Sequence, residues 1–250
     1  MTSWSALDEE LGAWARAGRT AMLWWRDDDA TRPTPALERL LDIRRRHDVP
    51  IALAVIPARA EAGLAERLRR EQGVVAWQHG WAHMNHAPLG APKAEIGPHR
   101  PAAWILGELA RGWLRLDAVF GADGWRKVLV PPHNRIAEAV IDALPAAGYR
   151  GLSAGMEPRP KARGRAMVNA HVDIMNWSTR AFAGEAEALG ALVAALRTRR
   201  EGTVDADEPV GYLTHHLAHD EAAWSFTDSV LGRLKAHAAV RFREPDALFA

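Results

Sequence analysis

The 250-residue chain contains no cysteine. Disulfides and thiolate metal ligands are therefore excluded, and any bound metal must be held by imidazole and carboxylate groups. Neither sign of charge is in excess, the net value being +1, so nothing favours an electrostatic partnership with nucleic acid or an acidic surface. Apolar runs of membrane-spanning length are missing too. The opening "MTSWSALDEELGAWARAGR" carries acids where a secretory leader needs an apolar core. A cytoplasmic protein is expected, with neither nucleic acid nor membrane among its partners. There is no repeat, low-complexity tract or linker, so residues 1–250 are expected to form one domain, with an N-terminal helix in 1–20 and a core over about 20–245.

What is present is enough apolar sequence, 48%, to build a sizeable core, and eleven tryptophans. Most of these belong in the core, with a few available to line a sugar or acyl pocket. The one local basic cluster, "RPKARGR" at 159–165, reads as a solvated loop.

A short apolar run, a polar turn and an amphipathic stretch recur along the chain. "AMLWW" (21–25) precedes "TPALERLLDIRRRH", where Thr34 can cap a helix, Pro35 suits its first turn, and Leu37, Leu40, Leu41 and Arg44 follow at helical spacing. "DVP" ends that helix, and "IALAVI" (51–56) reads as a buried strand. The alternation continues with helix 61–71, strand 74–77, helix 101–119, strand 127–130 and helix 135–147. Runs at 149–153 and 167–174, helix 185–200, strand 210–214, helix 221–237 and strand 239–242 complete it. Alternation of this kind predicts a parallel sheet covered by helices, and seven or eight such units favour a (β/α) barrel over an open sheet.

Working residues of such barrels lie just past the C-terminal ends of the strands. Here those positions hold Arg26 with Asp27, Asp28 and Asp29; Gln78 and His79; Pro131, Pro132, His133 and Asn134; Asp173, Asn176 and Trp177; and Thr214, His215 and His216. His79 and His83 are four apart, a spacing at which two imidazoles can share a metal. Three successive acids at a strand end repel unless a cation or proton is shared. One of them is expected to bind the metal and a neighbour to act as base. His86 falls outside the pair and reads as a supporting or surface residue. His215 stands where a proton donor would. In "VPPHNR" the prolines stiffen a strand exit whose amides could stabilise an oxyanion. Segment 84–100 is either a lid or a surface loop.

Assembled in this order, the residues resemble the polysaccharide deacetylase superfamily, metal-dependent enzymes that remove acetyl groups from chitin, peptidoglycan and related sugars on a distorted (β/α) barrel. The resemblance spans roughly residues 20–216. Its first motif, two aspartates and a small residue, fits Asp28, Asp29 and Ala30, with Asp27/Asp28 as the other register. It implies that Asp28 is the base and that Asp29, His79 and His83 bind one divalent ion, zinc or else cobalt or nickel. The third motif keeps its prolines, but Val130 stands where the family has an arginine that pairs with the catalytic aspartate; Arg26 and Arg135 are the candidate replacements. It assigns the His133 amide to the oxyanion. The fourth motif is matched by Asp173 and Trp177, with Asn176 in place of an acid. The fifth, leucine-x-histidine, fits Leu213 and His215, implying that Leu213 and Trp177 flank the acyl group and His215 protonates the leaving amine. The implied function is a hydrolase of linear amides in carbohydrate metabolism, a deacetylase of an acetylated sugar or small acylated substrate. The alternatives are a deformylase or amidase of the same fold, or a silent barrel that binds metal and glycan. His216 and His219 are left without a role.

Overall fold

The computed structural model describes residues 3–249, apart from the side chains of Lys161, Ala162 and Arg165. In chain order the elements are α1 (Trp4–Arg16), β1 (Ala21–Ala30), α2 (Pro35–His47), β2 (Ile51–Val55), α3 (Ala62–Leu68), β3 (Val74–His79), α4 (Ala102–Phe120), β4 (Arg126–Val130), α5 (Glu138–Ala143) and β5 (Gly151–Leu152). They continue as β6 (Val172–Asp173), the hairpin β7 (Met175–Asn176) and β8 (Ala181–Phe182), α6 (Glu185–Arg200), β9 (Val210–Thr214), α7 (Glu221–Ala236) and β10 (Val240–Phe242). The expected α/β alternation is present. Parallel strands run in the order β5-β4-β3-β2-β1-β9-β6, with β10 beside the start of β1. The curled sheet is a distorted barrel. Between β5 and β6 it closes only through isolated bridges, Leu152 to Met167 and Gly155 to Ala170. The run at 167–174 contributes strand Val172–Asp173 and these bridges.

Strand alternation decides what each residue faces. On β1, Leu23 and Trp25 point outward into the layer packed against the helices, whereas Trp24 joins Ala52, Ala54, Trp77, Val128, Val130 and Leu213 in the barrel interior. Both faces are apolar because helices cover the outside and side chains fill the inside. Thr34 caps α2 by accepting from the Leu37 N–H at 3.0 Å, and Leu37, Leu40, Leu41 and Arg44 are the buried stripe. Helix α5 is shorter than the predicted 135–147.

Most tryptophans are interior, Trp104 and Trp177 being exposed. The basic stretch at 159–165 is not the solvated loop its composition suggests. Arg159 is buried, its Nε donating to Asp205 Oδ2 at 2.7 Å and its main-chain N–H to Glu208 Oε2 at 2.9 Å. Arg163 pairs with Asp142 and Glu138. Lys161 and Arg165 of that stretch lie outside the described side chains. No helix among the described residues is long and apolar enough to cross a membrane.

Candidate active site

The site is built where β1, β3, β4 and β9 end. Parity along β1 sorts its charged residues: Arg26 and Asp28 follow Trp24 inward, and Asp27 follows Trp25 outward. Alternation alone would send Asp29 outward as well. A register shift between Asp27 and Ala30, with Asp29 at φ 74°, turns its carboxylate back instead. Asp29 Oδ1 then lies 3.4 Å from His79 Nε2 and 3.4 Å from His83 Nε2. All three offer ligand atoms within 4.8 Å of one another.

These residues fit a divalent cation. Asp29 Oδ1 is buried with no hydrogen-bond partner. His79 Nδ1 is engaged by the Val130 carbonyl at 3.0 Å, which leaves Nε2 aimed at the shared point. Burial alone would raise the Asp29 pKa, but the imidazoles of His79, His215 and His83 hold it well below the usual carboxylate range. Burial and the neighbouring His79 lower that of His83, which favours its neutral, ligating form. Burial opposes charge on His79, yet the carboxylates of Asp28 and Asp29 outweigh it and raise the pKa. The proton His79 favours is the one a cation would displace.

Asp28 is gripped by Arg26. The guanidinium places Nε 2.9 Å from Oδ1, and Nη2 donates to Oδ2 at 3.1 Å. Both partners are almost wholly buried. The other Arg26 donors are used as well: Nη1 reaches Ser153 O, Ser153 Oγ and Ala154 O, and Nη2 also reaches Asn134 Oδ1 at 2.6 Å. Of the two arginines named as candidates to pair with Asp28, Arg26 does so. Arg135 does not; its Nη1 donates to the main-chain oxygens of Lys93 and His133.

Across the site, His215 sits between two acids. Its Nε2 lies 3.9 Å from Asp28 Oδ2 and its Nδ1 lies 3.8 Å from Asp173 Oδ1. Trp177 donates from Nε1 to Asp173 Oδ2 at 2.8 Å, and its half-exposed ring packs edgewise on His215 with centroids 4.5 Å apart. Leu213 has no exposed surface and packs in the barrel interior beneath His215. His133 brings its ring as well as its backbone: the imidazole packs 4.6 Å from that of His83, and its pKa is pushed down to about 4 by burial and by His83 and His79. Among the described residues, four of the seven non-glycine positions at positive φ (Asp29, His83, His133 and Asn134) lie here, the clustering of backbone strain typical of functional sites.

Not every strand-end residue joins. Asp27, Thr214 and His216 form an outward-facing knot, in which Asp27 accepts from Thr214 Oγ1 at 2.7 Å, from the His216 N–H at 2.9 Å and pairs with His216 Nδ1 at 2.5 Å. Gln78 turns to α4, donating to Leu109 O and accepting from Tyr149. Asn176 closes a local turn with Ser178. His86 is exposed and donates its main-chain N–H to Ala94 O. Sequence reasoning missed Ser153, which anchors Arg26, and Glu95, which accepts from three main-chain N–H groups around His83. Neither lies in a spacing pattern.

No family model and no curated protein matches the sequence. Solved structures do share its fold. A family 4 acetyl xylan esterase from Clostridium thermocellum, in complex with a cobalt ion, aligns with a TM-score of 0.59 at 15% identity over 91% of this chain and 90% of its own. The peptidoglycan deacetylase PdaC from Bacillus subtilis gives 0.56 at 13% identity over 92% and 90%. A mutant pseudoenzyme of carbohydrate esterase family 4, with restored activity, gives 0.60 at 15% identity over 92% and 68%. At such identities the likeness is one of fold.

Proposed function

We propose that this protein is a metal-dependent hydrolase that removes an acetyl group from an N-acetylated sugar or glycoconjugate, acting in the cytoplasm on a precursor or small acylated metabolite. The observation that carries the reading is the convergence of Asp29, His79 and His83 within 4.8 Å, beside an aspartate held by a buried arginine. The deacetylases and esterases sharing the fold support it.

Asp29, His79 and His83 would hold the ion, zinc being the expected one. When bound, it supplies a Lewis acid that polarises an acyl oxygen and eases loss of a proton from water. The chain's own residues do the rest. Asp28, held in one orientation by Arg26, accepts the proton of the attacking water. The His133 main-chain N–H donates to the oxyanion that develops on the acyl carbon. His215 delivers a proton to the departing nitrogen, its ring oriented by Asp173 on the far side. Trp177 bounds the acyl group, with Leu213 beneath, and shields the leaving nitrogen from bulk water.

The test is acetate release from a panel of N-acetylated and N-formylated sugars, by protein stripped with a chelator and by the same protein reloaded with zinc, cobalt or nickel. Activity is expected only after reloading, and His79→Ala should lower it by at least about 100-fold, beyond what the loss of an outer support of a ligand costs. Full turnover by stripped protein would defeat the reading. Formate release without acetate release would shift it to a deformylase.

A further inference from the structure

Glu95 lies in the proline-punctuated segment between β3 and α4, outside every motif, and is only 2% exposed. Its carboxylate sits under the turn that carries His83. Oε1 accepts from Ala82 N at 2.8 Å and Met84 N at 3.3 Å, and Oε2 accepts from Trp81 N at 3.1 Å. His83, enclosed by these donors, has φ 59°, a backbone state that a non-glycine residue keeps only when its surroundings impose it.

The fit is interlocked from below. A Cβ on Gly80 would meet Glu95 Oε2 at 2.0 Å and Pro132 at 2.6 Å. The missing side chain at position 80 is what admits the carboxylate. Glu95 is itself fixed by its own segment: Asn85 Oδ1 accepts from Ala87 N and Ala94 N, and Ile96 bridges to Ile136 beyond the His133 turn. Within segment 84–100, Asn85, Glu95 and Ile96 thus tie the chain to the turns that carry His83 and His133.

We propose that Glu95 is a positioning residue for the metal centre, a buried carboxylate strut that sets turn 80–84 so that His83 Nε2 meets Asp29 and His79. The proposal rests on the metal reading above. A carboxylate suits the task because both oxygens only accept, and charge-assisted bonds to main-chain N–H groups are the stronger kind. Glutamine has nearly the same shape, but its NH2 would oppose a main-chain N–H on one side or the other.

The experiment compares wild type, Glu95→Gln, His83→Ala and the double variant as metal-free proteins. Zinc affinity is read by competition with a chromophoric chelator, and amide hydrogen exchange is read over residues 80–84. Glu95→Gln should weaken zinc by about 10–100-fold, the range for outer supports of a ligand, and should speed exchange in the turn. In the His83→Ala background the same change should alter affinity by no more than about twofold, because the strut acts through His83. Equal weakening in both backgrounds would make Glu95 a general structural residue and overturn the proposal, as would wild-type affinity in Glu95→Gln. If wild type takes up no zinc, the metal reading fails, and unchanged exchange in the turn would separately overturn the strut. Should Glu95→Gln not fold, Glu95→Asp, with a shorter reach, enters the same cycle.

Discussion

Arg26 and Asp28 show how much a single residue's facing decides. Both lie on the inward side of β1, two positions apart, and both are almost wholly buried. Removing one member of such a pair leaves a buried uncompensated charge and costs about 3–5 kcal/mol. Arg26→Met should therefore lower unfolding free energy by that order in urea titration. Arg26→Lys keeps the charge but not the fork that spans Asp28, Asn134 and Ser153. It should bind zinc as wild type does, yet lose acyl-release kcat by at least about 100-fold, a loss within the usual contribution of a positioned base. Undiminished kcat in Arg26→Lys would show that Asp28 needs no such holder. The three aspartates were visible in the sequence as a group, but only the family resemblance, and not the residues themselves, told them apart. Trp24 and Trp25 are both apolar, so the run before Asp27 shows no alternation to say which acid faces inward, and the turn-back of Asp29 is a bulge that no residue type announces.

Elements were legible wherever their ends carry chemistry of their own. Thr34, Pro35 and the leucine stripe define α2, and Asp220 caps α7 by accepting from Ala223 N at 2.8 Å. Thr34→Ala removes the side-chain acceptor of the Leu37 N–H without touching the stripe. It should cost about 1 kcal/mol and lower the melting temperature by about 2–4 °C for a chain of this size; an unchanged melting curve would mean that packing against the sheet holds this end of the helix unaided. The 84–100 segment gave no comparable signal. Its order comes from Asn85 and Glu95 side chains bonding to distant main-chain groups, which leaves no period to read. The 167–174 run is apolar, yet before Val172 it meets the chain at Leu152 and Gly155 only in single bridges, because the curled sheet does not complete a ladder there.

At the scale of the molecule, the two mouths of the barrel divide the work, with polar chemistry past the C-terminal strand ends and packing at the opposite end. There Phe249 inserts against Trp77, with ring centroids 5.6 Å apart, and a Cβ on Gly151 would lie 2.2 Å from Phe249 Cδ1. The ring occupies the volume that a side chain at 151 would need. Phe249→Ala should destabilise by about 3 kcal/mol, the low end for a truncated phenylalanine because this one is only partly buried. Gly151→Ala should cost about 1–3 kcal/mol through overpacking. The double variant should cost less than the two together, since the methyl at 151 moves into space the ring has vacated. Zinc affinity should be unchanged in all three, because the plug and the ligands sit at opposite ends of the strands. Strict additivity in urea titrations would show that Phe249 does not seat on Gly151 in solution, and a loss of zinc affinity would show that the far mouth governs the geometry of Asp29, His79 and His83.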